Sequence, residues 1–335
     1  MKTRLLNTRT LLSLLTLPWL ALMLAGPALA KPAAKRGKRV LVFTRSQGFE
    51  HSVVKVNGDA PPFAMGVLSA LATPRGWQLT HTKDGSVFTP EGLKEYDGFL
   101  FITTGDLTAL RTEKDGKPDP PHDINQKPMS AEGKKALLDA VAAGKGFMAL
   151  HNGSDTFHSA GDRWETQTGD QVDPYIAMLG GEFISHGDQQ KARAHVVDRA
   201  FPGFGDIGDV LEFHEEWYSL KNLPKDLHAL LVLETDTMKN PQYARPMFPV
   251  AWARMQGKGR VFYTALGHRE DVWTHPAFHK MLVGGMSWAL GEKKANVTPN
   301  VEKVTPGFQT LPAKPKEPAT ASGGAPAAGA PARPL

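Results

Sequence analysis

Apolar residues along this chain collect in short β-rich runs, separated by stretches where they recur three and four positions apart. Arg39–Thr44 (RVLVFT), Trp77–Thr82, Gly98–Thr104 (GFLFITT) and Gly146–Leu150 (GFMAL) are runs of the first kind. Continuous apolar runs of this length predict strands buried on both faces, as in a parallel sheet. Between them, Pro62–Ala72 places Phe63, Val67, Leu68 and Leu71 at helical spacing. Ser130–Ala143 opens with an N-cap residue and Glu132, then shows Leu137, Leu138 and Val141 on one face, which predicts a second helix. Further strands are predicted at Ala192–Val197, Val210–Phe213, Leu227–Leu233, Pro249–Ala253 and Arg260–Leu266. A closing helix is predicted from about Pro276 to Leu290, with Phe278, Met281, Leu282 and Met286 as its core stripe. Strands alternating with helices imply an α/β fold, a mostly parallel sheet with helices on both faces. Two polar insertions, Glu113–Pro128 and Ser159–Gln171, read as surface loops.

The ends of the chain follow other patterns. Lys2, Arg4 and Arg9, an apolar stretch from Leu11 to Leu24 and the small residues Ala28-Leu29-Ala30 have the layout of a cleavable export signal. The expected organisation is a signal over 1–30, a basic linker over 31–38, one domain over 39–295 and a Pro/Ala-rich disordered tail over 296–335. The chain is therefore expected to be exported, periplasmic or secreted, with no stable membrane anchor after cleavage. Charge sharpens this picture. The formal +5 of the whole chain comes from its ends, because 1–39 hold eight basic and no acidic residues. The middle, 40–300, holds 27 basic against 32 acidic side chains and is net −5. A folded nucleic-acid binder needs its basic excess on the folded surface, so no nucleic-acid partner is expected. There is no cysteine, which removes disulfides, thiolate metal sites and thiol nucleophiles together.

All twelve histidines lie between His51 and His279. In a parallel sheet the C-terminal strand ends share one edge, where such folds place their sites. That edge should gather His51, Asp106, His151, Asp155 and His268, each just beyond a predicted strand. Two further polar sets are Gly180–His186, ending in His186, and His214-Glu215-Glu216-Trp217-Tyr218. Imidazole with carboxylate suits general acid–base chemistry. It equally suits a divalent metal, zinc above all, or manganese or iron. No compact metal signature occurs, so any such site is assembled from distant segments, with His51, His186 and His268 as its expected ligands. No nucleotide cofactor is expected. Trp217 and Tyr218 offer aromatic faces to a sugar, although core burial is the commoner fate of such residues.

At these residues the sequence resembles the ThuA-like (trehalose utilisation) family of the class I glutamine amidotransferase-like superfamily. The likeness rests on VLVFTRSQGFEH at 40–51, FITTGD at 101–106, GFMALHNGSDTF at 146–157 and GGEFISH at 180–186. FHEEWYSL at 213–220, PVAW at 249–252 and GKGRVFYTALGH at 257–268 complete it. The resemblance implies a flavodoxin-like α/β sandwich and the handling of a small carbohydrate or (keto-)glycoside. Residues matching the family are His51, His151, Asp155, His186, Glu216 and His268. The superfamily's amidotransferases carry a Gly-x-Cys-x-Gly elbow after a strand. Here that stretch reads Ala149-Leu150-His151-Asn152-Gly153, with His151 in the nucleophile's place, so a thiol amidase mechanism is excluded. Where relatives often read Asp-x-x-His-Pro, this chain has Asp198-Arg199-Ala200-Phe201-Pro202.

The favoured expectation is an enzyme of isomerase, lyase or hydrolase type acting on a glycoside. His151 is its central acid/base, Glu216 or Asp155 orients it or shares the proton, and Asp106, Trp217 and Tyr218 bind substrate. The alternative is a non-catalytic carbohydrate-binding or envelope scaffold protein that keeps an inherited site. A metal-water esterase or amidase stands third. Oligomeric state is not legible.

Overall fold

The computed structural model describes residues 36–58, 60–109 and 126–315, together with two short strands between 113 and 118. The expected signal peptide lies outside the described residues. Contacts divide the chain after Arg36, and everything below concerns the unit that begins at Gly37.

Its strands are β1 (Arg39–Phe43), β2 (Gln78–Thr82), β3 (Gly98–Phe101), β4 (Glu113–Lys114), β5 (Lys117–Pro118), β6 (Gly146–Leu150), β7 (Glu182–His186), β8 (Gln190–Val196), β9 (Val210–Glu215), β10 (Tyr218–Lys221), β11 (His228–Leu233), β12 (Phe248–Gln256) and β13 (Gly259–Thr264). The helices are α1 (Phe63–Ala72), α2 (Pro90–Lys94), α3 (Ala131–Ala142), α4 (Pro174–Leu179), α5 (Glu270–Trp273), α6 (Pro276–Ala289) and α7 (Val301–Val304). Nine strands form one sheet in the order β2-β1-β3-β6-β13-β12-β11-β8-β9. The first five are parallel, and their side chains from Val40 to Phe43 and from Phe99 to Phe101 are fully buried. The other four extend the sheet antiparallel, so the fold is α/β with a mixed sheet. The hairpin turn Gly257-Lys258 between β12 and β13 leaves no chain for a crossover and enforces that reversal.

Helices cover both faces, as strand alternation shows at β13. Phe262 packs toward α6, where a Cβ on Gly285 would meet its ring at 2.6 Å. The next residue, Tyr263, points the other way and stacks on Trp252, whose indole N–H donates to Leu179 O at the end of α4. The cap expected at Ser130 forms, its Oγ accepting from Gly133 N–H at 3.0 Å, and His275 Nδ1 caps α6 by accepting from Ala277 N–H at 3.2 Å.

Two strands escape the hydrophobic pattern. β7 (EFISH) and β10 (YSLK) are short and half polar, and they pair antiparallel with a bulge between Ser219 and Leu220. Their register sets Tyr218 opposite His186 and Lys221 opposite Glu182. The two polar sets singled out in the sequence are thus one hairpin-like unit.

The expected tail boundary needs correction. Within the expected tail, residues 300–308 dock on the domain: Val301 and Phe308 are buried, and Asn300 Oδ1 accepts from Ala229 N–H at 2.6 Å. Arg245, itself buried, donates to Phe308 O at 2.7 Å. Sparse apolar residues hid this, because they dock singly into gaps left by β11 and the buried guanidinium. Phe308→Ala is expected to lower the unfolding free energy by about 3 kcal/mol in urea denaturation. A residue in a detached tail would leave it unchanged.

Candidate functional site

Loops beyond the parallel strands continue the ladder past the strand ends, with bridges Ser46–Thr104 and Gly105–Thr156. The loop after β1 carries His51, buried. β6 runs straight into a 3-10 turn, His151–Asp155, whose first residue has φ +41°. His186 ends β7, Glu216 sits at the corner between β9 and β10, and His268 follows β13. Segments separated by more than 200 residues therefore deliver their side chains to one point.

That point is the Glu216 carboxylate. Its Oε2 lies 3.0 Å from His268 Nδ1, 3.4 Å from His151 Nε2 and 3.9 Å from His51 Nε2. Its Oε1 lies 3.5 Å from His186 Nε2. His268 Nδ1 is also 3.3 Å from His151 Nε2. His51, His151, Glu216 and His268 each offer a donor atom within 4.8 Å of the others, so this set could hold a metal ion.

Hydrogen bonds outside the cluster decide which ring nitrogens carry protons. His151 Nδ1 donates to Ala265 O at 2.9 Å, and His186 Nδ1 donates to Gly187 O at 2.8 Å. In the neutral rings both Nε2 atoms are then lone pairs facing Glu216. His268 differs. Arg269 holds Gln189 Oε1, which turns Gln189 Nε2 toward His268 Nε2 at 2.9 Å and leaves Nδ1 to donate to Glu216. His51 Nδ1 is buried without a partner. Charge preferences follow. Burial pushes the carboxyl of Glu216 up, but the surrounding imidazoles of His151, His268 and His51 outweigh it, and Glu216 is held well below the usual carboxylate range. Burial pushes His151 down to about 3 and also lowers His51. Burial opposes a charge on His268 too, yet the Glu216 carboxylate wins and raises it.

A family model described as trehalose utilisation, ThuA, matches residues 39–289. The chain belongs to the ThuA family. Among solved structures it is similar to a ThuA-like protein from Bacteroides uniformis, at 18% identity and a TM-score of 0.56, covering 80% of this chain and 97% of that one. A ThuA-like protein from Parabacteroides merdae aligns at 15% identity and a TM-score of 0.49, over 83% and 98% of the two chains. At these identities the likeness concerns the fold alone. No curated protein sequence matches this chain.

In this ThuA-family site, several expected roles sit differently from their sequence placement. Trp217 is fully buried, with its indole N–H donating to Gln190 O at 3.1 Å, so it presents no face to a sugar. Tyr218 is buried as well, its ring 4.0 Å from that of His151 and 4.1 Å from that of Phe183. It packs the histidines instead of lining an open surface. Asp106 is exposed and spends its Oδ1 on the backbone N–H and hydroxyl of Thr108, a local turn. His186 stands outside the four-residue donor set, while His151 and Glu216, expected as purely catalytic, are inside it.

Sequence reasoning missed two supports. Glu215, adjacent to Glu216, is buried and accepts N–H groups of Gly267 and His268 on Oε2 and of Glu216 on Oε1. Burial pushes it up to about 7. Only its position beside Glu216 signalled it. The second support is the inner side of the 159–171 insertion, read as surface loop. Ser159 and Gln167 are buried there, beside Asn222, Glu182 and the buried ammonium of Lys221. His158 joins this network to the site, its Nε2 3.2 Å from Asp155 Oδ1 and its Nδ1 3.2 Å from Glu182 Oε1.

Partial burial alone would lower the His158 pKa, but hydrogen bonds to Asp155 and Glu182 outweigh it and raise it to about 9. A histidine with a raised native pKa adds stability below its unfolded value, about 6.5, and loses it as pH rises through the native one. Denaturant unfolding of the protein and of His158→Gln should therefore differ most at pH 6 and converge above pH 9. A difference that grew with pH would contradict the imidazolium.

Proposed function

We propose that this chain is an exported enzyme acting on a carbohydrate or keto-glycoside through a His/Glu centre that holds a divalent cation. The observation carrying this reading is the surplus of lone pairs. His151 Nε2 and His186 Nε2, each committed by its Nδ1 bond, face an ionised carboxylate at 3.4 and 3.5 Å. Acceptors facing acceptors at that distance repel unless a proton or a cation lies between them. The spacing suits a cation. Bonds of about 2.0–2.2 Å in a tetrahedral shell set neighbouring donors roughly 3.4 Å apart. The separations around Glu216 Oε2 run from 3.0 to 3.9 Å. Three imidazoles and one carboxylate favour zinc, with manganese or iron as the other fitting ions. The carbonyl of Ala265, accepting from His151 Nδ1, supplies the outer hydrogen bond that such a ligand needs, and Glu215 fixes the backbone that carries His268.

His51, His151, Glu216 and His268 would hold the ion, which when bound supplies Lewis-acid polarisation of a substrate carbonyl. Proton transfer then falls to His186. Its Nε2 would take the proton from the hydroxyl-bearing carbon beside that carbonyl, the C–H electron pair would form the enolate, and the same Nε2 would hand the proton to the enolate oxygen to give the enediol. Asp155, bonded to His158, borders the cluster. The parallel strand order β2-β1-β3-β6-β13 supports a flavodoxin-like sandwich, whose sites lie at this strand edge. Export is supported by the charged, apolar and small-residue layout of 1–30. No helix among the described residues is long and apolar enough to cross a membrane.

Elemental analysis of the purified chain should find about one divalent ion per molecule. Glu216→Ala should lose both the ion and turnover of a keto-glycoside, His151→Ala should do the same, and His186→Ala should lose turnover while keeping the ion. Turnover untouched by His151→Ala, with the fold intact by circular dichroism, would overturn the reading. Binding without turnover would favour the carbohydrate-binding alternative.

A further inference from the structure

With Trp217 and Tyr218 buried, the site has no apolar platform among the aromatics expected from sequence. One residue supplies what they do not. Phe49 is 46% exposed, the most exposed large apolar side chain among the described residues. Its ring lies 5.0 Å from the His51 ring at 89°, beside the ion-holding set.

An exposed phenyl is unremarkable on a loop that can move. This one is held out. Gln47 N–H donates to Thr104 O at 2.7 Å, and the Gln47 side-chain amide donates to Ala109 O. Gly48 lies so close to Thr104 that a Cβ there would meet its methyl at 3.0 Å. Glu50 forms a buried ion pair with Lys83, and His51 is locked in the cluster. The backbone is therefore pinned on both sides of Phe49, and its ring cannot fold back onto the core. Leaving a phenyl in water forgoes burial that folding ordinarily secures. A rigid, exposed ring beside a cluster of polar imidazoles matches a ligand that is apolar on one face and polar at its edge.

We infer that Phe49 is the platform on which the C–H face of a pyranose ring stacks, setting its hydroxyl or carbonyl edge toward His51 and Glu216. The substrate class is then a cyclic glycoside rather than an open-chain polyol or a charged small acid. This inference rests on the reading of the site as a glycoside centre. Phe49 acts on binding and orientation and touches no reacting bond, so its loss should raise KM more than it lowers kcat.

The test uses the full chain with methyl glucoside, trehalose and a methyl keto-glucoside as probes in calorimetry and turnover assays. Phe49→Ala should melt at the wild-type temperature, because the ring is exposed. It should bind the best of these probes about tenfold more weakly, the order expected for one lost aromatic stacking contact. Phe49→Trp should keep the affinity, and its added indole should change emission as probe is titrated. A change under threefold in Phe49→Ala, with wild-type binding intact, would overturn the platform and leave the glycoside reading standing. Equal loss in Phe49→Ala and Phe49→Trp would mark a disturbed loop and overturn it too. Failure of the wild-type chain to bind any of the three would remove both the glycoside reading and this inference.

Discussion

The ionised carboxylate of Glu216 is the constraint on which the rest of the site depends. Taking a carboxylate out of water costs several kcal/mol unless donors or positive charge replace the lost hydration. Here four imidazoles surround it, three on the loops that follow β1, β6 and β13 and one at the end of β7, with His268 Nδ1 donating at 3.0 Å. None of those loops can shift without uncovering the charge. The parallel half of the sheet brings three of them to the same edge, and the β7–β10 pair brings the fourth. One charge thus fixes four otherwise independent connections, and the fold keeps its site rigid without a disulfide.

Glu215 and Glu216 show how adjacent residues of one type are set to opposite tasks by environment. Glu216 faces imidazoles and is driven toward ionisation, whereas burial pushes Glu215 up to about 7. Glu215 binds three backbone N–H groups and so shapes the Gly267-His268 turn that aims His268 at its neighbour. The pair couples the β9–β10 corner to the end of β13 through a backbone contact and a side-chain contact at once. Environment alone thus drives two adjacent carboxyls in opposite directions.

The parallel strands and their ends were legible because a buried strand must be apolar along its length and must stop where polarity begins. That rule located His51, His151 and His268. It could not locate β7 or β10, because they bury polar residues such as Glu182, Ser219 and Lys221 that read as non-strand. Nor could it reveal the direction of Trp217, which follows Glu216 immediately and turns into the core. The packed residues after Asn296 were hidden for a related reason: Val301 and Phe308 are isolated in a Pro- and polar-rich context, and their pockets are made by residues far upstream. Residue type and spacing report burial along one element well. They report pairing between distant short elements poorly, because that information resides in the partner.

His151 of this ThuA-family chain sits on a strained turn directly after β6. Its φ of +41° is costly for a residue with a side chain, of the order of 1–3 kcal/mol, and persists only where neighbours over-determine it. They do so here. Tyr263 donates its phenol to His151 O at 2.9 Å, Ser154 Oγ lies 2.8 Å from that phenol, and Ala265 O holds Nδ1. Gly153 allows the turn to close, since a Cβ there would meet that of Ala149 at 2.6 Å. A thiol at such a turn would be aimed as a nucleophile. An imidazole on the same turn, with one nitrogen tied to a carbonyl, aims a lone pair instead. The strain here points the Nε2 lone pair of His151 at a shared carboxylate, and the turn completes the cluster around Glu216.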